Sequence, residues 1–143
     1  MMAADATTPM SDMRVADLMT IDPITVAIDA TIEEAEDLMR RHHVTGLPVV
    51  DEARRLVGVI SQTDILFLDV PEVQALIRHR AHGVRVGEVM SAPPVTIDTV
   101  ASVQDAAIRM HTESIHRLVA VDDQGQPVGV ISAMDFVALV AEG

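Results

Sequence analysis

The chain contains no cysteine, no lysine, no tryptophan and no tyrosine. Each absence removes a class of function. Without cysteine there is no disulfide scaffold and no thiolate chemistry, which fits a cytoplasmic protein. Without lysine there is no Schiff-base chemistry and no P-loop lysine. Phe67 and Phe136 are the only aromatic residues, although 49% of the chain is hydrophobic. The core is therefore expected to be Val, Ile, Leu, Ala and Met. Positive charge is scarce as well: the formal net charge is −12, and the arginines are spread along the sequence. Such a chain is expected to be repelled by nucleic acid and by anionic membranes. No apolar run approaches the roughly 18 residues of a membrane span. The first residues, Met-Met-Ala-Ala-Asp-Ala-Thr-Thr-Pro, lack the basic and apolar regions of a secretory signal. Residues 1–12 read as a flexible tail.

What is present is a repeat. Residues Val15 to Ile65 align with Val86 to Phe136 at a constant offset of 71, without a gap, and 16 of the 51 aligned pairs are identical. The pairs include Met19/Met90, Pro23/Pro94, Ala35/Ala106, Met39/Met110 and Leu47/Leu118. The block Val-Gly-Val-Ile-Ser recurs at 57–61 and 128–132, followed by Asp64 or Asp135. A repeat of this kind sets the architecture. It predicts a pseudo-twofold pair of units sharing one core, with related sites in a cleft between them.

Each copy reads as β-α-β-β-α, preceded by a helical stub at Val15–Met19 or Val86–Met90. Pro23 and Pro94 stop the stub. Short strands follow at Ile24–Ile28 and Val95–Ile97. Thr31 and Ser102 are natural helix N-caps, and Glu34 would complete a capping box with Thr31. Ile32, Ala35 and Met39 form one helical face, and Val103, Ala106 and Met110 repeat it. Acidic residues begin this helix, and Arg40, Arg41, His42 and His43 end it, as the helix dipole favours. Gly46 can act as a left-handed helix stop. Two nearly continuous apolar strands come next in each copy, as expected where both faces are covered. A last helix starts at Ser61 or Ser132. Residues 69–85 link the copies. They hold a helix opened by Pro71, with Val73, Leu76 and Ile77 as its apolar stripe and Gly83 as its end.

Two corners could carry chemistry. Ser61-Gln-Thr-Asp64 and Ser132-Ala-Met-Asp135 lie at strand-to-helix junctions. Ser-x-x-Asp there is a capping arrangement. The same geometry offers helix N–H groups to a phosphate and a carboxylate to the two hydroxyls of a ribose. The readings are compatible. The stretch Thr45-Gly-Leu-Pro48 could bare its backbone to an adenine edge. Its counterpart, His116-Arg-Leu-Val119, could meet a phosphate through charge-assisted bonds, with Arg117 potentially bidentate.

Thr-Gly-Leu-Pro-Val-Val-Asp, followed by Leu-Val-Gly-Val-Ile-Ser-x-x-Asp-Ile, resembles the cystathionine β-synthase (CBS) domain. Two tandem copies resemble a Bateman module, over about residues 13–141. The resemblance implies an α/β (α+β) fold of two pseudo-twofold-related motifs packed through their sheets. It places motif 1 at 13–68, a helical linker at 69–85 and motif 2 at 86–141. It also implies a regulatory module that binds AMP, ADP, ATP or S-adenosylmethionine, with no obligatory cofactor. By that likeness Asp64 and Asp135 hold the ribose, and Ser61, Thr63 and Ser132 lie near phosphates. Thr45, Gly46 and Pro48 surround the base. Ile115-His-Arg-Leu118 is similar to stretches of the γ subunit of AMP-activated protein kinase whose His and Arg meet phosphates. The copies differ at Gly46/Arg117, Pro48/Val119 and Thr63/Met134, so unequal half-sites are expected.

The likeness also implies a homodimer, with a regulated protein as a possible further partner. A ligand-free dimerisation module is the alternative reading. Catalysis is not expected: the chain has no Cys or Lys nucleophile, no Gly-x-Ser-x-Gly elbow and no evident Ser/His/Asp trio. His79 and His82 have the i, i+3 spacing of helical metal ligands but lack a neighbouring third ligand, so no metal site is expected.

Overall fold

In the computed structural model, which describes residues 9–78 and 83–142, Thr31 and Ser102 start the two 11-residue helices. Thr31 Oγ1 accepts from the Glu34 amide at 3.1 Å, and Ser102 Oγ accepts from the Asp105 amide at 2.9 Å. The return bond from Glu34 does not form, so Thr31 makes half of the expected capping box. Helix α2 (Ile32–His42) buries Ile32, Ala35 and Met39, and α6 (Val103–Glu113) buries Val103, Ala106 and Met110. Burying a Val, Ile or Met side chain is worth about 1.5–3 kcal/mol.

Both helices stop on a left-handed residue, but it is not Gly46. His43 has φ 55° and Ser114 has φ 56°. The apolar face ends at Met39 or Met110, and the chain turns within one turn of that point. Gly46 is instead the first residue of a strand.

Two sheets form. One has the order β2 (Val26–Ala27), β3 (Gly46–Val50), β4 (Leu56–Ser61). The other has the order β1 (Thr20–Ile21), β7 (Pro127–Ser132), β6 (Arg117–Val121), β5 (Thr96–Asp98). Pairs β2/β3 and β5/β6 are parallel; β3/β4, β6/β7 and β1/β7 are antiparallel. Leu47, Val49 and Ile60 are buried in the first sheet, and Leu118, Ala120 and Ile131 in the second.

The chain divides into two compact units, offset from the sequence repeat. One is Ile24–Pro94; the other joins the segment up to Pro23 with the segment from Val95 onward. The stub α1 (Val15–Leu18) therefore completes the unit of the second repeat, and α5 (Val86–Val89) completes that of the first. The exchange is reciprocal in detail. The Val15 amide donates to the Ala101 carbonyl and the Val86 amide to the Ala30 carbonyl, both at 2.9 Å. Val15 and Val86 are both fully buried.

After β4 come α3 (Gln62–Leu66), a 3₁₀ turn (Phe67–Asp69) and α4 (Pro71–Ile77). No residue of α4 is buried, and Leu76 is 79% exposed, so the expected stripe is not part of a core. Helix α7 (Ala133–Glu142) ends the described chain.

Candidate functional site

In the first-repeat unit, the segment between α2 and β3 folds against the start of α3. The Thr45 carbonyl accepts from the Gln62 amide at 2.8 Å. Gly46 lies directly across the ladder from Ser61, and the buried Pro48 lies across from Val59. Ser61 Oγ accepts from the Asp64 amide at 3.2 Å, and Asp64 Oδ2 accepts from the Ser61 amide at 2.9 Å. This is a complete capping box. It engages Oδ2 only; among the described residues Oδ1 of Asp64 makes no hydrogen bond. Thr63 is exposed beside it.

The second-repeat unit builds the same corner with different side chains. The His116 carbonyl accepts from the Ala133 amide at 2.9 Å. Arg117 takes the place of Gly46, directly across from Ser132. Directly opposed residues of an antiparallel pair project to one face, so the Arg117 side chain stands beside that of Ser132. Asp135 Oδ2 accepts from the Ser132 amide at 2.7 Å and from the Ser132 hydroxyl at 3.3 Å. The serine hydroxyl is thus an acceptor in one corner and a donor in the other. Burial pushes the Arg117 guanidinium below its ordinary pKa, because low dielectric disfavours the charged form. Met134, the counterpart of Thr63, is 69% exposed.

The expected residues therefore assemble as two groups. Thr45, Gly46, Ser61, Thr63 and Asp64 form one corner, with Pro48 on the adjoining strand. His116, Arg117, Ser132 and Asp135 form the other. Within the second group the neighbours His116 and Arg117 part company. His116 lines a groove of about 580 Å³ with His111, Ser114 and Phe136, which Arg117 does not line. His79 and His82 lie outside the described residues. Among the described residues no three His, Asp or Glu side chains are grouped to hold a metal ion.

Sequence reasoning missed the role of the segments after the stubs. In the first-repeat unit Ser91 bridges Val59 through both backbone groups, at 2.9 and 3.0 Å, and so flanks β4. The identical Met19/Met90 and Gly58/Gly129 pairs were the available signal. Both methionines follow their stubs and pack on the opposite repeat's glycine.

The family model for the CBS domain matches this chain twice, at residues 15–70 and 86–142. Among curated proteins, the chain is 30% identical over 137 residues to "CBS domain-containing protein CBSX1, chloroplastic" of Arabidopsis thaliana, covering 81% of this chain and 56% of the plant protein. Among solved structures, CBSX2 in complex with AMP superposes with a TM-score of 0.79 at 32% identity, covering 91% of this chain and 97% of that one. The CBS domain pair of protein MJ0100, in complex with 5′-methylthioadenosine and S-adenosyl-L-methionine, gives 0.78 at 27% identity, covering 90% and 95%.

Proposed function

Because this chain belongs to the CBS-domain family, as a tandem pair of the Bateman type, we propose that it is a regulatory module sensing an adenosine-containing ligand. One observation carries the proposal. Two CBS pairs that match nearly end to end are complexes with AMP and with S-adenosyl-L-methionine and 5′-methylthioadenosine. In this chain, the free Oδ1 atoms of Asp64 and Asp135 are the proposed acceptors for ribose hydroxyls. Ser61, Thr63 and Ser132 are the proposed neighbours of the phosphates. Thr45, Gly46 and Pro48 flank the base, and His116 and Arg117 supply donors for phosphate. AMP, ADP and ATP are the first candidates; S-adenosylmethionine is the second. The capping bonds leave room for this role because they engage one carboxylate oxygen of each Asp.

The module acts by binding rather than by catalysis, and as a homodimer that passes its state to a protein partner. Exposed apolar side chains support the dimer: Met134, Val137 and Val140 along α7, and Leu66 at the end of α3 with Phe67 just after it. Among the described residues no helix is long and apolar enough to cross a membrane. The proposed location is the cytoplasm, and the chain's negative charge argues against a nucleic-acid partner.

The test is a melt of the purified chain with and without AMP, ATP and S-adenosylmethionine. A ligand at 100 times its Kd adds about 2.7 kcal/mol, which is several degrees for a chain of this size. The absence of a shift with all three would leave the ligand-free dimerisation module as the better reading.

A further inference from the structure

A second groove lies in the second-repeat unit, at the other end of β6 from Arg117. It has a volume of about 510 Å³ and is lined by Thr96, Ile97, Asp98, Thr99 and Arg109, together with Val121–Asp123. Strands β5 and β6 run parallel, with Asp98 beside Val121, so the groove opens at their carboxyl ends.

The repeat shows which of these residues are peculiar to this corner. At the offset of 71, Asp98, Thr99 and Arg109 align with Ala27, Ile28 and Leu38. In the first-repeat unit Ile28 and Leu38 pack against the hydrophobic core. Asp122 and Asp123, by contrast, align with Asp51 and Glu52, so acidic residues at this turn are common to both copies. Asp122 holds the turn through Oδ1, which accepts the Gln124 and Gln126 amides at 2.9 Å each, and its Oδ2 makes no hydrogen bond among the described residues. The second copy has therefore replaced an apolar corner with one carboxylate, one guanidinium and one hydroxyl.

These groups keep unused bonding capacity. Arg109 gives its Nε to Glu113 at 3.0 Å, and its terminal nitrogens make no hydrogen bond among the described residues. Asp98 accepts the Val100 amide on Oδ1 at 3.0 Å, and its Oδ2 is unoccupied there. The hydroxyls of Thr96 and Thr99 are likewise without hydrogen bonds among the described residues. A paired guanidinium face suits a carboxylate, and a lone carboxylate oxygen suits an ammonium.

We propose that this groove binds a free α-amino acid with an apolar side chain. Arg109 receives the carboxylate and Asp98 the ammonium. Thr96 and Thr99 complete the polar contacts, and Val121 forms the wall for the side chain. This is separate from the Ser-x-x-Asp corners and does not depend on them.

The experiment titrates the full chain with L-leucine, L-methionine and L-valine, followed by calorimetry and by backbone amide signals of residues 96–99 and 121–123. Two controls each remove one charge from leucine: 4-methylpentanoate lacks the amine, and 3-methylbutylamine lacks the carboxylate. At least one amino acid should bind, and each control should bind about tenfold or more weakly than leucine, the effect of losing a charge-assisted bond. The triple variant Asp98→Ala, Thr99→Ile, Arg109→Leu copies the first repeat, and should lose amino-acid binding while keeping its AMP response. Silence toward all three amino acids overturns the proposal. So does 3-methylbutylamine binding as well as leucine, which would make the groove a simple acidic patch. If the variant fails to fold, the two controls on the unaltered chain decide the matter.

Discussion

The thioether of Met90 occupies the space beside Gly58: a Cβ built on Gly58 would meet the Met90 Sδ at 2.5 Å and the Ser91 carbonyl oxygen at 2.9 Å. Met19 covers Gly129 in the same way. Each glycine is the middle residue of a Val-Gly-Val strand, and each methionine comes from the other repeat. The absence of a side chain is what lets the exchanged segment seat on the strand. Gly58→Ala and Gly129→Ala are both expected to destabilise, in the range of about 1–3 kcal/mol for overpacking. Gly58→Ala should cost more, because its second-nearest obstacle is a backbone oxygen, whereas the three atoms nearest a Cβ on Gly129 all belong to the flexible Met19 side chain. Thermal melts of the two variants test the order; equal losses would contradict it.

The proposed ribose role is separable from capping. Asp64→Ala and Asp135→Ala each remove the carboxylate that accepts the serine amide, a hydrogen bond worth about 0.5–1.5 kcal/mol. Asp64→Asn and Asp135→Asn keep an acceptor for the serine amide but lose the charge. The Asn variants are expected to melt near the parent while their AMP affinity falls by about tenfold, the scale of a charged hydrogen bond. Titration calorimetry of AMP reads this directly. Unchanged affinity in the double Asn variant would return both motifs to capping alone.

His43 holds a left-handed backbone that favours glycine, with φ 55° and an exposed side chain. His43→Gly removes the Cβ conflict and should stabilise the end of α2 by up to about 1 kcal/mol. The melting temperature should rise by a few degrees. A fall would mean that the imidazole contributes more than the backbone relief.

Asp51 should make acid stability local. The Arg55 amide N–H bonded to its carboxylate at 2.9 Å is the main cause holding its pKa below the ordinary 3.8. The Arg55 guanidinium and the Ala53 amide act in the same direction, against partial desolvation. A depressed folded-state pKa adds stability that is present above the unfolded value and is lost as pH falls through the folded value. From pH 3.8 downward, the parent should therefore lose stability faster than Asp51→Asn. Denaturant midpoints measured for both proteins across that range check the sign.

Much of the local structure was legible from residue chemistry. Thr31 and Ser102 announced helix starts, because a short hydroxyl side chain is what an exposed helix amide needs. The spacing of Ile32, Ala35 and Met39 announced a buried face, and its repetition 71 residues later announced a second. Ser61 and Asp64, or Ser132 and Asp135, read as caps because both partners lie within one turn of each other. The helix stop was misplaced at Gly46, because residues other than glycine can also take the left-handed conformation at a helix end, as His43 and Ser114 do. His43 and Ser114 pay that conformational cost.

The sequence by itself determined that one motif occurs twice, which residue types fill the core, and where the copies disagree; it expected one shared core, and the buried residues form two clusters instead. Those properties depend on residue type and on separations of a few positions. The tertiary structure alone decided that each unit borrows its stub from the other repeat, since Val15 and Val86 look alike in sequence and only packing selects their partners. It also decided that Arg117 faces Ser132 while His116 lines the neighbouring groove. Adjacent residues share a sequence context, but the ladder assigns their side chains to different surroundings. The aligned repeat remained informative after folding: Asp98, Thr99 and Arg109 stood out once β5 and α6 brought them to one groove.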